Sequence, residues 1–163
     1  MPQSICIGVI GANEPDAANY ELAYELGTHI AGRDATLVCG GLGGIMEAAS
    51  KGAREHGGTV IGILPGASKS DANQYVSIAL PTGMGIARNT LVVNMSDVLI
   101  AFPGSYGTLS EIALALKSGK PVVSLNSWAL DRIGCDSSLF HTTATPEEAV
   151  RIAVRLARGE RGI

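Results

Sequence analysis

The 163-residue sequence predicts an α/β fold: a doubly wound, mainly parallel sheet flanked by helices, in a single domain over residues 1–163. Three observations carry that prediction. Short apolar runs recur along the chain and alternate with stretches of helical period. The runs are apolar throughout rather than alternating, as strands buried on both faces are. Several of them end in glycine, at Gly11, at Gly40 to Gly44 and at Gly104 to Gly107. Helices between such strands force parallel neighbours joined by right-handed crossovers, a Rossmann-like arrangement. Composition agrees: 46% hydrophobic but only 4% aromatic residues, with 21 glycines, suits a tightly wound α/β sheet better than an aromatic-rich sandwich.

The elements follow in order. Ser4 to Ile10 is a strand ending at Gly11-Ala12-Asn13. Asp16 is a natural N-cap for a helix from Ala17 to Ala31, whose buried stripe is Tyr20, Ala23, Gly27 and Ile30 and which Gly32 closes. Ala35 to Cys39 is the second strand, running into the glycines and then a helix to about His56. Thr59 to Leu64 is a third strand, stopped by Pro65-Gly66, and the polar stretch Ala67 to Gln74 is a loop. Tyr75 to Leu80 reads as a short strand and Gly85 to Met95 as a helix. Asp97 to Phe102 is a strand, Pro103 to Gly107 a turn, Thr108 to Ser118 a helix and Pro121 to Leu125 a strand. Asn126 to His141 has no readable pattern. Thr145-Pro146-Glu147-Glu148 opens the last helix with a capping residue, a proline at the first position and a glutamate three residues after the cap. Arg151, Arg155 and Arg158 then read as a solvated face, partly paired with Glu147.

Several function classes are excluded at this level. Lys and Arg number 12 against 15 Asp and Glu, so no general basic surface for nucleic acid is present. No stretch approaches the roughly 20 apolar residues of a membrane span, and the first residues lack a secretory pattern. A cytoplasmic protein without membrane or nucleic-acid partners is expected. Cys6, Cys39 and Cys135 are widely spaced, with no CxxC pair, and suggest neither a disulfide framework nor a zinc site. Cys6 and Cys39 read as small core residues. His29, His56 and His141 lie apart and receive no role, and no metal ligands are assigned.

In a doubly wound sheet ligands bind at the carboxyl ends of the strands. A strand, then glycines, then a helix brings backbone N–H groups to the positive end of the helix, where anions bind. The first full turn, Gly41-Leu42-Gly43-Gly44-Ile45-Met46, has Met where a dinucleotide fingerprint needs its third glycine, and the next strand ends without a carboxylate. No Gly-Lys-Ser/Thr closes either turn, which excludes a P-loop. A phosphate held by both turns is expected.

The second turn carries more. Pro103-Gly104-Ser105-Tyr106-Gly107-Thr108-Leu109-Ser110-Glu111 resembles the motif PGGxGTxxE of the family long mislabelled lysine decarboxylases, which contains the cytokinin-activating phosphoribohydrolases. Arg88, nine residues before Asp97, matches the family's active-site arginine in register. Gly40 to Ala48, Gly62 to Gly66 and Gly107 to Lys117 are similar to a shorter branch that includes the molybdenum-cofactor carrier proteins. The resemblance spans about Ile5 to Val123. It implies a binding protein for a phosphorylated nucleotide-like or pterin ligand, with the molybdenum cofactor as carried ligand. The alternative it implies is an N-glycosidase releasing base and ribose 5-phosphate from nucleoside 5′-monophosphates. The sequence departs from the phosphoribohydrolase pattern at Ser105 (for Gly), Ser110 (for an acidic residue) and Asn89 (for Lys). The ligand and phosphate set expected on this basis is Gly11, Asn13, Gly41, Leu42, Gly43, Gly44, Thr82, Arg88, Gly104, Ser105, Tyr106, Gly107, Thr108 and Glu111, with Arg88 and Glu111 catalytic if the protein is an enzyme.

Two of these have a competing structural reading. Thr108 to Glu111 also spells a capping box, with Thr as N-cap and Glu at the third helical position. Arg88 sits among Ile86, Ala87, Leu91, Val92, Val93 and Met95, so it is either solvated or buried beside an anion. The same apolar helix predicts a homodimer or dimer of dimers: Ile86, Leu91, Val93 and Met95 pack on the sheet, and Val92 is left for a partner helix.

Overall fold

The computed structural model describes residues 3–130 and 136–160. Among the described residues seven strands form one all-parallel sheet in the order β4-β3-β2-β1-β5-β6-β7. They are β1 Cys6–Ile10, β2 Thr36–Cys39, β3 Val60–Leu64, β4 Ile78–Pro81, β5 Val98–Ala101, β6 Val122–Leu125 and β7 Phe140–Thr143. The chain winds outward from β1 to β4, returns to the other side of β1, and winds outward again through β5 to β7. The winding therefore reverses between β1 and β5, which pair in register from Ile7 with Val98 to Ile10 with Ala101.

Among the described residues five α-helices cover the two faces: α1 Ala17–Ala31, α2 Ile45–Glu55, α3 Asn89–Met95, α4 Tyr106–Lys117 and α5 Pro146–Ala157. Alternation along each strand separates two cores. Ile7, Val9, Leu37, Cys39, Val98 and Ile100 meet α1, α2 and α5. Ile10, Val38, Ile63, Leu99, Ala101 and Val122 meet α3 and α4. As expected, Asp16 caps α1 by accepting from the Asn19 N–H, and Thr145 caps α5 by accepting from the Glu148 N–H. Cys39 is fully buried and Cys6 half-buried, while Cys135 lies outside the described residues.

The structure corrects several sequence expectations. Gly32 closes α1 as expected, but in right-handed geometry; the left-handed residue is Asp34 two positions on, because the turn continues through Arg33 N–H to Ile30 O and Asp34 N–H to Ala31 O. β4 starts three residues later than expected. Asn73 organises the preceding turn, its side chain accepting from Tyr75 N–H and donating to Leu42 O. Residues 85–88 form a 3₁₀ turn, not the start of α3, with Gly85 N–H drawn to Pro65 O.

That turn changes the phase of the apolar stripe. Val92 and Val93 are the buried pair, at 0% and 1% exposure, whereas Ile86 is 73% and Met95 43% exposed. Val92 is core of its own chain, not a surface left for a partner. Arg151 pairs with Glu148, not Glu147, since Thr143 holds the Glu148 carboxylate on that side of α5. β7 was not readable: Phe-His-Thr-Thr is a half-exposed edge strand without an apolar run. Among the described residues no helix is long and apolar enough to cross a membrane.

Candidate functional site

The reversal between β1 and β5 leaves a crevice at their carboxyl ends, the place where doubly wound sheets take ligands. Three turns meet there, and Ala12 joins them. Its N–H donates to Pro103 O at 3.0 Å, and its carbonyl accepts from Ile45 N–H at 3.0 Å. Gly44 makes the second contact possible. It sits at a φ of 67°, and a Cβ there would strike the carbonyl oxygens of Ala12 and Asn13. The resulting cleft holds about 480 Å³, counted out to its open mouth. It is lined by Val9, Ile10, Gly11, Ala12, Asn13, Gly40, Met46, Arg88, Asn89, Ser105, Gly107, Thr108 and Glu111.

The α4 end of the cleft differs from the expected capping box. The helix starts at Tyr106 with Ser105 as N-cap, and Leu109 N–H closes the first turn on Ser105 O. The Ser105 side chain makes no capping bond. The N–H groups of Tyr106, Gly107 and Thr108 therefore belong to a first turn with no helix carbonyls to receive them. Thr108 is already inside the helix and buried, and Glu111 lies in the second turn, out of reach of any capping role. The structural reading of Glu111 is thereby removed.

Arg88 and Glu111 are both only 8% exposed. The Arg88 guanidinium enters beside Gly40, where a Cβ would lie 2.6 Å from Nη2. Its Nε donates to Ile63 O at 3.0 Å and its Nη1 to Asn89 Oδ1. Burial lowers the guanidinium pKa, and the nearby Glu111 opposes that. The Glu111 carboxyl makes no hydrogen bond or ion pair with the described residues. Burial pushes it up to about 7, with Arg88 pulling part of the way back. Behind them Cys39 is held protonated by burial. The arrangement offers an anion a buried guanidinium and a free helix start. It also offers a carboxyl that exchanges its proton near neutrality.

The expected site residues divide. Gly11, Asn13, Arg88, Ser105, Gly107, Thr108 and Glu111 line the cleft. Gly41, Leu42, Gly43, Gly44, Thr82, Gly104 and Tyr106 do not. The first glycine turn touches the cleft through Gly40, and Met46 at the start of α2 also lines it. Thr82 ties a loop instead, donating to Leu64 O at 2.6 Å and accepting from Met84 N–H. Tyr106 is 82% exposed. Gly104 lies behind the turn, against the Thr108 side chain. Sequence reasoning left out Val9, Ile10, Ala12, Gly40, Met46 and Asn89 as lining residues. Asn89 had a signal, being adjacent to Arg88 and a departure from the motif. Among the described residues no three His, Cys, Asp or Glu side chains are placed to hold a metal ion.

Residues 4–156 match the SLOG cluster4 family. The chain belongs to that family. A cytokinin riboside 5′-monophosphate phosphoribohydrolase of Mycobacterium tuberculosis is 34% identical over 72% of this chain and 67% of its own. The molybdenum cofactor binding protein of Rippkaea orientalis superposes with a TM-score of 0.87, at 36% identity over 94% of this chain and 98% of its own. The molybdenum cofactor carrier protein of Chlamydomonas reinhardtii gives 0.86, at 36% identity over 96% and 99%. These likenesses agree with the sequence resemblance and with the Rossmann-like sheet.

Proposed function

We propose that this SLOG cluster4 protein binds a phosphorylated ligand of nucleotide or pterin type, with the molybdenum cofactor as the leading carried ligand. The carrying observation is one cleft at the β1–β5 reversal that combines buried Arg88 with the uncapped start of α4. The phosphate sits at Gly107 and Thr108 within reach of Arg88, where helix dipole and guanidinium act together. The near full-length likeness to the carrier and binding proteins supports this reading over a catalytic one. The test is mass spectrometry of ligand released from protein purified natively. A pterin or nucleotide phosphate at near-stoichiometric yield is expected, and its absence together with no AMP or phosphate binding would overturn the reading.

A second reading has its own observation. Glu111 is unpartnered in the cleft and titrates near neutrality. Such a carboxylate is suited to take a proton from water attacking an anomeric carbon and to pass it to the base, which leaves with the electron pair of the broken bond. Release of free base from AMP, above a Glu111→Ala control, would make the protein a phosphoribohydrolase.

We also propose a homodimer or dimer of dimers. Ile78 and Leu80 of edge strand β4 are 56% and 49% exposed, beside Met84 and Ile86 at 48% and 73%. Exposed apolar side chains continuous with an open sheet edge are covered most simply by a second copy. The thiols of Cys6 and Cys39, both unpaired, fit a cytoplasmic setting.

A further inference from the structure

Arg88 is buried near an unpartnered carboxyl, yet its recorded hydrogen bonds go to neutral groups. Nε donates to Ile63 O at 3.0 Å and Nη1 to Asn89 Oδ1. Asn89, only 4% exposed, then donates from Nδ2 to Ser110 Oγ at 3.3 Å. Ser110 has one hydroxyl proton and gives it to Gly107 O at 2.7 Å. The donors therefore all run one way, from Arg88 to a carbonyl in the first turn of α4. The direction is fixed chemically: Ser110 can only accept from Asn89, so the amide must turn its oxygen to Arg88. The reverse amide orientation would set donor against donor at the guanidinium.

We propose that Asn89 and Ser110 are positioning residues that hold the Arg88 guanidinium off Glu111 and tie it to the anion-binding turn of α4. Asn89 satisfies one arm of the guanidinium and Ile63 O another, so the rest of the fork stays available to a ligand oxyanion. Without Asn89, the nearest anionic acceptor for Arg88 is Glu111, and an ion pair there would spend both groups on each other. The groups that face Glu111 electrostatically are Arg88 and the Cys39 thiol, which burial keeps neutral. Burial raises its hold on the proton, and the position of one cation, Arg88, decides how far that is pulled back. Asn89 and Ser110 are also two of the three positions at which the sequence departs from the phosphoribohydrolase pattern, and the structure brings them into one contact.

The consequence for ligand binding rests on the proposed function, but the positioning is a property of the protein alone, and the two are tested separately. The Glu111 carboxyl is followed by isotope-edited infrared or carbon NMR titration of the full chain, its signal assigned by its loss in Glu111→Gln. In Asn89→Ala the titration should move down by at least one pH unit, a tenfold weaker hold on the proton. In Ser110→Ala it should move the same way by less, and in Ser110→Thr it should stay. AMP and inorganic phosphate affinity, measured by calorimetry, should fall about tenfold in Asn89→Ala and recover in none of the alanine variants. An unmoved Glu111 titration in Ser110→Ala and in folded Asn89→Ala overturns the proposal, even if AMP binds the natural sequence. If Asn89→Ala does not fold, the Ser110 pair alone decides. A shifted titration with no AMP or phosphate binding anywhere sustains the positioning and sinks the binding reading instead.

Discussion

Replacing Glu111 with Gln should stabilise the protein at alkaline pH and leave it little changed in acid. The folded-state carboxyl is raised from 4.5 to about 7 by burial. The native state thus holds this proton more tightly than the unfolded chain does. Stability from that difference is complete below about pH 4.5 and is lost as pH rises through about 7. Moving the equilibrium from 4.5 to about 7 corresponds to about 3 kcal/mol at 1.36 kcal/mol per tenfold change. Most of it falls between pH 5 and pH 8. The group is 8% exposed, so solvent screening removes little of this. Glutamine keeps the shape and cannot ionise, so its stability has no such slope.

The assay is urea unfolding of both proteins at pH 5, 6, 7 and 8. With a dependence of about 2 kcal/mol per molar urea, the midpoint of Glu111→Gln should gain about 1 M on the parent between the two ends of the series. Two parallel curves would refute the reasoning, because they would mean that the parent pays nothing to ionise Glu111. A divergence confirms that the cleft keeps a carboxyl where it costs stability, the usual mark of a site kept for function.

Other perturbations separate the site from its scaffold. Gly107→Val should cut AMP and phosphate binding at least about tenfold by calorimetry while the melting temperature barely moves. Gly107 lines the cleft and a Cβ there meets nothing within 4 Å, so a valine crowds the cleft without straining the fold; normal binding would show that the turn holds no anion. Val92→Asp should unfold the chain, costing more than about 4 kcal/mol for a lone buried charge, whereas Ile86→Asp, on an exposed residue, should leave a folded monomer. Light scattering reads both, and a monomeric parent at micromolar concentration would sink the dimer. Lys120→Met should cost about 2 kcal/mol in thermal unfolding, because Lys120 Nζ donates to the carbonyls of Val93, Asn94 and Ser96 at the end of α3.

Much of the fold was legible because its signals are local. α1 matches Ala17 to Ala31 because Asp16 fixes its start and the apolar period its length. The inner strands are apolar runs, and nothing else in the sequence competes for that pattern. Legibility failed where a distant contact decides. β7 pairs with β6 on one side only, so Phe-His-Thr-Thr needs no apolar run. The turn before α4 is tied to Ala12, far earlier in the chain, whose N–H donates to Pro103 O. Read alone, Thr108 to Glu111 is a good capping box; held by Ala12, the helix begins at Tyr106 and the box is swallowed. Arg88 and Glu111 were legible through the motif, but their separation was not, since it runs through Asn89 and Ser110 on different helices.

The two glycine turns look equivalent in sequence and have different work in the structure. The turn before α2 uses its glycines to admit backbone: Gly44 yields to Ala12 and Asn13, and the first helix N–H is consumed in the joint. The turn before α4 keeps its first N–H groups uncommitted, with Ser105 declining to cap them. An anion stabilised by a helix start needs N–H groups that are not already bonded, and the start of α4 offers its first three. The first turn contributes differently: Gly40 leaves the space into which the Arg88 guanidinium fits. The cation and the helix start thus reach one cleft by separate routes, one through an absent side chain on β2's turn and the other through an absent cap on α4. The relay from Arg88 to Gly107 O is what makes them a single site.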